Sequence, residues 1–293
     1  MSQAIFPQRV LPYALIAPQL IVVGLFFYYP SLEAFRLSMF LEDPFGMGST
    51  FVGLENFIAL FKSANYREVA WFTAWYTVLV SVTSMALALL LASKADRVIR
   101  AANAYRSLIM WVYAVAPPVA GLLGVLLFDQ NIGPITHAAA ALGWTLRVGN
   151  DYNATALALI VSTVWIQVPI AFIFYLAALQ TIPQSLREAA AIDCPSGWRR
   201  FWTISFPLLA PTTFFLSIIM VTHTLFDSFG LIDVLTKNSP GNNPVTLVYK
   251  IYLDGFRGND LGSSSAQSVL LMGLVLVLSM LQFRWLERKV HYQ

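Results

Sequence analysis

Three groups of polar side chains interrupt a chain that is 58% hydrophobic and only 11% charged. The first group lies in one apolar run, where His223, Thr224, Asp227 and Ser228 fall together. A spacing of four places His223 and Asp227 on one helix face, where imidazole and carboxylate can pair. Ionisable groups inside a membrane span are costly, so they are candidates for a solute pathway. The second group is Trp165 and Gln167, able to offer a stacking surface and hydrogen bonds to a polyol. Plainer readings stand beside both: Asp227 solvated at the outer interface, and Trp165 and Gln167 used in helix–helix packing. The third group is the charged segment 183–207, with Glu188, Asp193, Arg199 and Arg200.

That third segment is patterned like a docking element. Pro183 suits a helix start, where a missing N–H costs nothing. Leu186, Ala189, Ala190 and Ile192 then give a short helix one apolar face, with Arg187, Glu188 and Asp193 elsewhere on it. Cys194-Pro195-Ser196-Gly197 breaks this helix, because proline restricts the residue before it and glycine relaxes the backbone. Trp198, Phe201, Trp202 and Ile204 begin a second helix, and Pro207 and Pro211 open the next apolar run. The plain alternative is an ordinary solvated loop.

The elements that must carry these groups are membrane spans. Mean hydropathy is +0.66, and a soluble domain has about 25% charged residues, so lipid is the expected solvent. Six apolar runs are long enough to cross a bilayer: 11–29, 69–93, 108–128, 154–179, 208–232 and 266–286. The third contains Pro117-Pro118, which implies a kink with freed carbonyls met by neighbours or cavity water. The stretch 51–61 has Leu54, Phe57, Ile58 and Phe61 at helical spacing, as an amphipathic helix on the membrane or the bundle requires. Segments 129–153 and 233–265 read as polar loops. The net charge of +3 and pI near 9.0 then set orientation rather than bind nucleic acid. Eleven Lys and Arg fall on the side of both termini, 94–106 and 187–200, against six spread over the longer loops opposite. Short basic loops stay inside, which puts both termini and the docking segment in the cytoplasm.

Several chemistries are excluded. There is no GxxxxGK[ST] phosphate loop, so the chain is not expected to hydrolyse ATP. There is no HExxH and no catalytic triad pattern; a membrane enzyme or a self-sufficient secondary transporter is a weak alternative. The single cysteine, Cys194, permits no intrachain disulfide and no multi-cysteine metal site. The run 11–29 lacks a small-residue cleavage site.

Glu188-Ala189-Ala190, then Cys194, then Ile204-Ser205-Phe206-Pro207 resembles the signature loop of permease subunits of binding-protein-dependent ABC importers of the sugar type. Cys194 stands where the pattern has glycine, and Phe206 where it has leucine. Asp193 matches the aspartate of sugar-type members. The resemblance covers nearly the whole chain, including Leu11-Pro12-Tyr13, Asp43-Pro44-Phe45-Gly46, Tyr113 to Pro117 and Tyr249-Lys250-Ile251-Tyr252. Within the family it is nearest to first permease subunits of glycerol-3-phosphate importers. It implies an all-α, polytopic inner-membrane protein with about six transmembrane helices and the type I ABC importer permease fold, a single domain over 1–293. It implies a coupling loop at 183–207, with Glu188, Ala189, Ala190, Asp193, Cys194, Arg199, Arg200 and Pro207 against an ATP-binding subunit. It implies a second permease, an ATPase dimer holding ATP and magnesium, an extracytoplasmic solute-binding protein, and no cofactor on this chain. The solutes implied are glycerol-3-phosphate and glycerophosphodiesters, with maltose or trehalose as the alternative. Solute contacts carried over from the family fall near Ile166, Gln167, Ile170, Val221, Thr224, Leu225 and Ser228. No Lys or Arg lies mid-span to meet a phosphate.

Overall fold

The computed structural model describes residues 11–42, 48–96, 102–193, 196–236 and 243–289. The chain is almost wholly helical. Its only described strands form a short antiparallel ribbon, β1 (Phe40–Glu42) with β2 (Ser49–Phe51). Five helical stretches are long and apolar enough to cross a membrane, and a sixth is a broken pair. The backbone contacts divide into two units: residues up to Tyr66 with Lys250–Gly273, and Arg67–Tyr249 with Leu274 onward.

In the smaller unit, α1 (Leu11–Val23) runs through a π turn (Gly24–Tyr28) into α2 (Tyr29–Leu37). The span therefore runs on past residue 29. Glu33 and Arg36, one turn apart on this continuation, bond each other at 2.5 Å. The amphipathic stretch forms α3 (Glu55–Lys62). It buries Asn56 and Leu60, while Leu54, Ile58 and Phe61 are exposed. Asn56 Nδ2 donates to the Ser38 and Phe40 carbonyls at 2.9 and 3.0 Å, joining α3 to the ribbon.

The larger unit is built on two long helices, α4 (Ala64–Ala95) and α8 (Tyr152–Gln180). Each buries one stripe at four-residue spacing. On α4 it is Phe72, Tyr76, Val80, Ser84, Ala88 and Ala92; on α8 it is Thr155, Leu159, Thr163, Gln167, Ala171, Tyr175 and Leu179. Tyr76 Oη and Thr163 Oγ1 meet at 2.7 Å inside this packing.

The third span departs from the expected kink. α5 (Ala102–Met110) and a 3-10 turn (Trp111–Ala114) end at Val115 and Ala116, and α6 (Pro117–Leu127) leaves at 102° to the preceding segment. Ala116 is extended, at φ −66° and ψ 144°, as the steric demand of the following proline requires. The fifth span is also interrupted: α12 (Ala210–Phe226) stops at Asp227, and α13 (Phe229–Thr236) restarts after Ser228. α6 packs closely on α13. A Cβ on Gly121 would lie 2.9 Å from the Leu231 carbonyl oxygen, and one on Gly230 would lie 2.8 Å from Pro118 Cγ. Small residues let the two backbones approach.

The segments read as loops hold short helices: α7 (Pro134–Ala141) in the first, and α14 (Leu247–Tyr252) with a π turn (Leu253–Arg257) in the second. The last span is α15 (Leu261–Lys289).

Candidate coupling groove and solute pathway

The docking segment folds as α9 (Gln184–Asp193), then α10 (Gly197–Arg200), which winds through a π turn (Phe201–Ser205) into α11 (Phe206–Leu208) and α12. α9 ends at Asp193, where the sequence expects its break, and Ser196 is extended before α10. Cys194 lies outside the described residues, as does the side chain of Asp193. The apolar face of α9 turns mostly outward. Ala190 is buried, but Leu186 is exposed and Ile192 is 83% exposed, as is Trp198 at 70% on α10. Ala189, Glu188, Arg199 and Pro207 are exposed, and Arg200 is half-buried. Among the described residues, Glu188 accepts from its own helix alone, from Gln184 Nε2 at 2.9 Å.

Arg187, not among the expected docking residues, ties α9 to the rest. Its Nη1 sits 2.8 Å from Asp96 Oδ2 just beyond the end of α4, and its Nη2 donates to the Leu179 carbonyl in the last turn of α8. A guanidinium suits this because its planar fork serves two acceptors at once, and a cation at a helix C-terminus meets the negative end of its dipole. Asp96 is 91 residues away in sequence, so no local pattern pairs it with Arg187. Around this clamp lies a groove of about 880 Å³, walled by Ser93, Asp96, Gln180, Arg187, Glu188 and Arg200 among others.

A second cavity, of about 430 Å³, opens where both broken spans interrupt their helices. Its walls are Tyr113 to Pro117 at the α5–α6 break, Thr163, Ile166, Gln167 and Ile170 on α8, and His223, Asp227 and Ser228 at the end of α12. Non-helical backbone at membrane depth is tolerated where it lines a cavity, so both interruptions fit a pathway. His223 Nδ1 lies 2.5 Å from Asp227 Oδ2, as their spacing expects, with side chains 42% and 58% exposed. Gln167, His223, Asp227 and Ser228 thus share one cavity.

Thr224 and Trp165 do not line it. Thr224 is fully buried and holds Gln167: it gives its proton to the Met220 carbonyl at 2.7 Å and accepts from Gln167 Nε2 at 3.1 Å. Trp165 packs edge-on against Trp111, with ring centroids 6.3 Å apart. Tyr113 and Thr163 are lining residues that the charge and polarity pattern alone did not single out.

Comparison with known proteins places this geometry. A family model described as binding-protein-dependent transport system inner membrane component matches residues 71–292. The chain is 45% identical over 292 residues, the whole of both chains, to the sn-glycerol-3-phosphate transport system permease protein UgpA of Rhizobium meliloti strain 1021. It is 43% identical to the UgpA of Escherichia coli O157:H7, across all of this chain and 99% of that one. Among solved structures it superposes on a bacterial ABC transporter involved in import of the acidic polysaccharide alginate, with TM-score 0.82, 21% identity and 96% of each chain covered. A further match, at TM-score 0.83 and 20% identity over 95% of this chain and 94% of that one, is the alginate transporter in complex with an alginate pentasaccharide-bound periplasmic protein. These two likenesses establish the fold, that of an ABC importer permease. The chain belongs to the binding-protein-dependent transport system inner membrane components: it is a multi-pass permease and not an enzyme.

Proposed function

We propose that this chain forms one half of the translocation pathway of an ATP-driven importer for glycerol-3-phosphate or glycerophosphodiesters. The observation that carries the solute is full-length identity of 43% and above to permeases named for sn-glycerol-3-phosphate transport. The whole chain acts as one transmembrane domain, with 183–207 as its cytoplasmic coupling loop and both termini in the cytoplasm. A second permease completes the pathway, a solute-binding protein delivers the substrate from outside, and a dimer of ATPase subunits holds ATP and magnesium.

The coupling role rests on exposure and attachment together. Ile192 and Trp198 present apolar surface beside the charges of Glu188, Arg199 and Arg200, which is the mixture a protein partner buries. Arg187 passes any displacement of α9 to the ends of α4 and α8. ATP binding closes the ATPase pair, the loops move with it, and the cavity at the α5–α6 and α12–α13 breaks changes the side to which it opens. Gln167, His223, Asp227 and Ser228 are the proposed lining toward solute, with Thr224 positioning Gln167.

The test is ATPase activity of the reconstituted complex with its binding protein, scanned over glycerol-3-phosphate, glycerophosphocholine, maltose and trehalose. Stimulation by the phosphorylated glycerols alone is expected. Stimulation by disaccharides alone would keep the permease role and overturn the solute.

A further inference from the structure

The wall that this chain gives the pathway cavity has a definite hydrogen-bonding sense. Among the described residues lining it there is one acid, Asp227, one imidazole, His223, and no lysine or arginine. Because the imidazole already faces the carboxylate at 2.5 Å, even a protonated His223 leaves the pair with no net positive charge. Most other donors are engaged inside the protein. Ser228 Oγ donates to the Thr224 carbonyl at 2.8 Å. Thr163 Oγ1 is joined to Tyr76 Oη at 2.7 Å. One amide hydrogen of Gln167 goes to Thr224.

Of the two helix starts beside the cavity, that of α13 is at Phe229, after the lining residue Ser228, and that of α6, at the lining residue Pro117, is closed to anions as well. A helix N-terminus binds phosphate through free N–H groups. α6 begins with Pro117 and Pro118, which have none, and the next two N–H groups, of Val119 and Ala120, both go to the Ala116 carbonyl, at 2.9 and 3.1 Å. What the wall still offers is chiefly acceptor capacity, the carboxylate of Asp227 above all, beside the Tyr113 hydroxyl, which can donate or accept. A carboxylate has two oxygens and about four acceptor sites, of which His223 takes one.

Glycerol-3-phosphate has two chemically opposite ends. The phosphate is acceptor-only in its ionised form and carries about −1.5 to −2 charge near pH 7. The glycerol end has hydroxyl hydrogens to donate. We propose that this chain's wall receives the glycerol hydroxyls, with Asp227 as their acceptor, and that the phosphate points away from it toward the other permease's half. The inference rests on the solute reading above. It answers the want of a mid-span cation in this chain: the cation belongs to the opposite wall.

The test is uptake of radiolabelled glycerol-3-phosphate by proteoliposomes holding the complete importer. Asp227→Asn keeps the shape and removes the charge. If the wall meets hydroxyls, it lowers kcat/KM at least fivefold, whereas Asp227→Glu stays within about threefold of wild type. If the wall meets the phosphate, removing the carboxylate relieves repulsion; unchanged or raised uptake with Asp227→Asn overturns the inference. Should the Asn variant not assemble with its partner subunits, Ile170→Lys decides. It adds a cation to the same wall without touching the pair, and a gain in kcat/KM overturns the inference while no gain upholds it. Failure of the solute reading looks different, since wild type itself then takes up no phosphorylated glycerol.

Discussion

Helix α8 borders both the groove at the docking segment and the cavity at the broken spans, and its surroundings differ between the two. At the coupling end, Leu179 and Gln180 border a groove held by a charged clamp, Arg187 to Asp96, with exposed apolar residues on the neighbouring helix. Near its middle, Thr163, Ile166, Gln167 and Ile170 border a cavity tied by neutral hydroxyl and amide bonds, whose one ionisable pair stands half in the open. Gln167 and Leu179 are twelve residues apart, which on a helix is about 18 Å. The contrast fits two tasks. The joint proposed for coupling must survive load, and its ion pair is part-buried, with only 15% of the Asp96 side chain exposed. The proposed solute path must release what it binds, and there the charged pair is open to solvent while the neutral groups share their hydrogen bonds inside the protein.

The comparison is broken most forcefully at the clamp. Arg187→Ala leaves the part-buried Asp96 carboxylate without its partner, and an orphaned polar group of this kind costs about 1–3 kcal/mol. The expected result is an importer that still assembles but transports at least tenfold more slowly per ATP hydrolysed. The exchanged pair Arg187→Asp with Asp96→Arg should recover part of that ratio, measured as solute taken up per phosphate released. No recovery, with normal assembly, would mean that the clamp is only local packing. Next in size is Ile192→Asp. A charge on a surface that an ATPase subunit buries costs about 2 kcal/mol or more, so the ATPase subunit should co-purify at less than a tenth of the wild-type ratio. Full co-purification would move the docking face off α9.

On the pathway side the effects shrink. Thr224→Val keeps the shape and removes the hydroxyl that Gln167 uses. A neutral hydrogen bond is worth about 1 kcal/mol net, so uptake should fall about fivefold while recovery of the ATPase subunit stays unchanged. A fall in that recovery would show that the two cavities are mechanically one.

How much of this was legible in the sequence follows the same division. The coupling element is local: one stretch carries its helix, its break and its second helix, and linear spacing finds them. The six spans were legible for the same reason, and so was the pairing of His223 with Asp227. The clamp was not, because Arg187 and Asp96 are 91 residues apart and either alone reads as a solvated charge. The break at Asp227 and Ser228 carries no proline, and the shared boundary of the two broken spans exists only once α6 packs on α13 through Gly121 and Gly230. Trp165 shows the limit from the other side, since both its readings stood open in the sequence. An aromatic in mid-span invites a stacking role, and nothing in the sequence says that Trp111 lies beside it. The first span was bounded at residue 29 by its apolar run, and the helix continues beyond it, with Glu33 and Arg36 paired one turn apart.

The smallest effect is the sharpest discriminator. Glu188 heads the motif by which the coupling loop is recognised, yet within this chain its described partner is Gln184, exposed and on the same helix. Exposed pairs four residues apart contribute about 0.3–0.5 kcal/mol. Glu188→Gln therefore costs this chain's own fold no more than that, and thermal unfolding of the permease pair without ATPase should shift by about a degree or two. The stability measurement isolates the fold, so the same variant then reports on the partner. A several-fold loss of ATP-driven uptake alongside an unshifted melt means that Glu188 acts across the interface. An equal melt and equal uptake would leave the apolar residues Ile192 and Trp198 as the docking surface and make the motif's glutamate a helix-forming choice. A large shift in the melt would contradict the geometry of α9 itself.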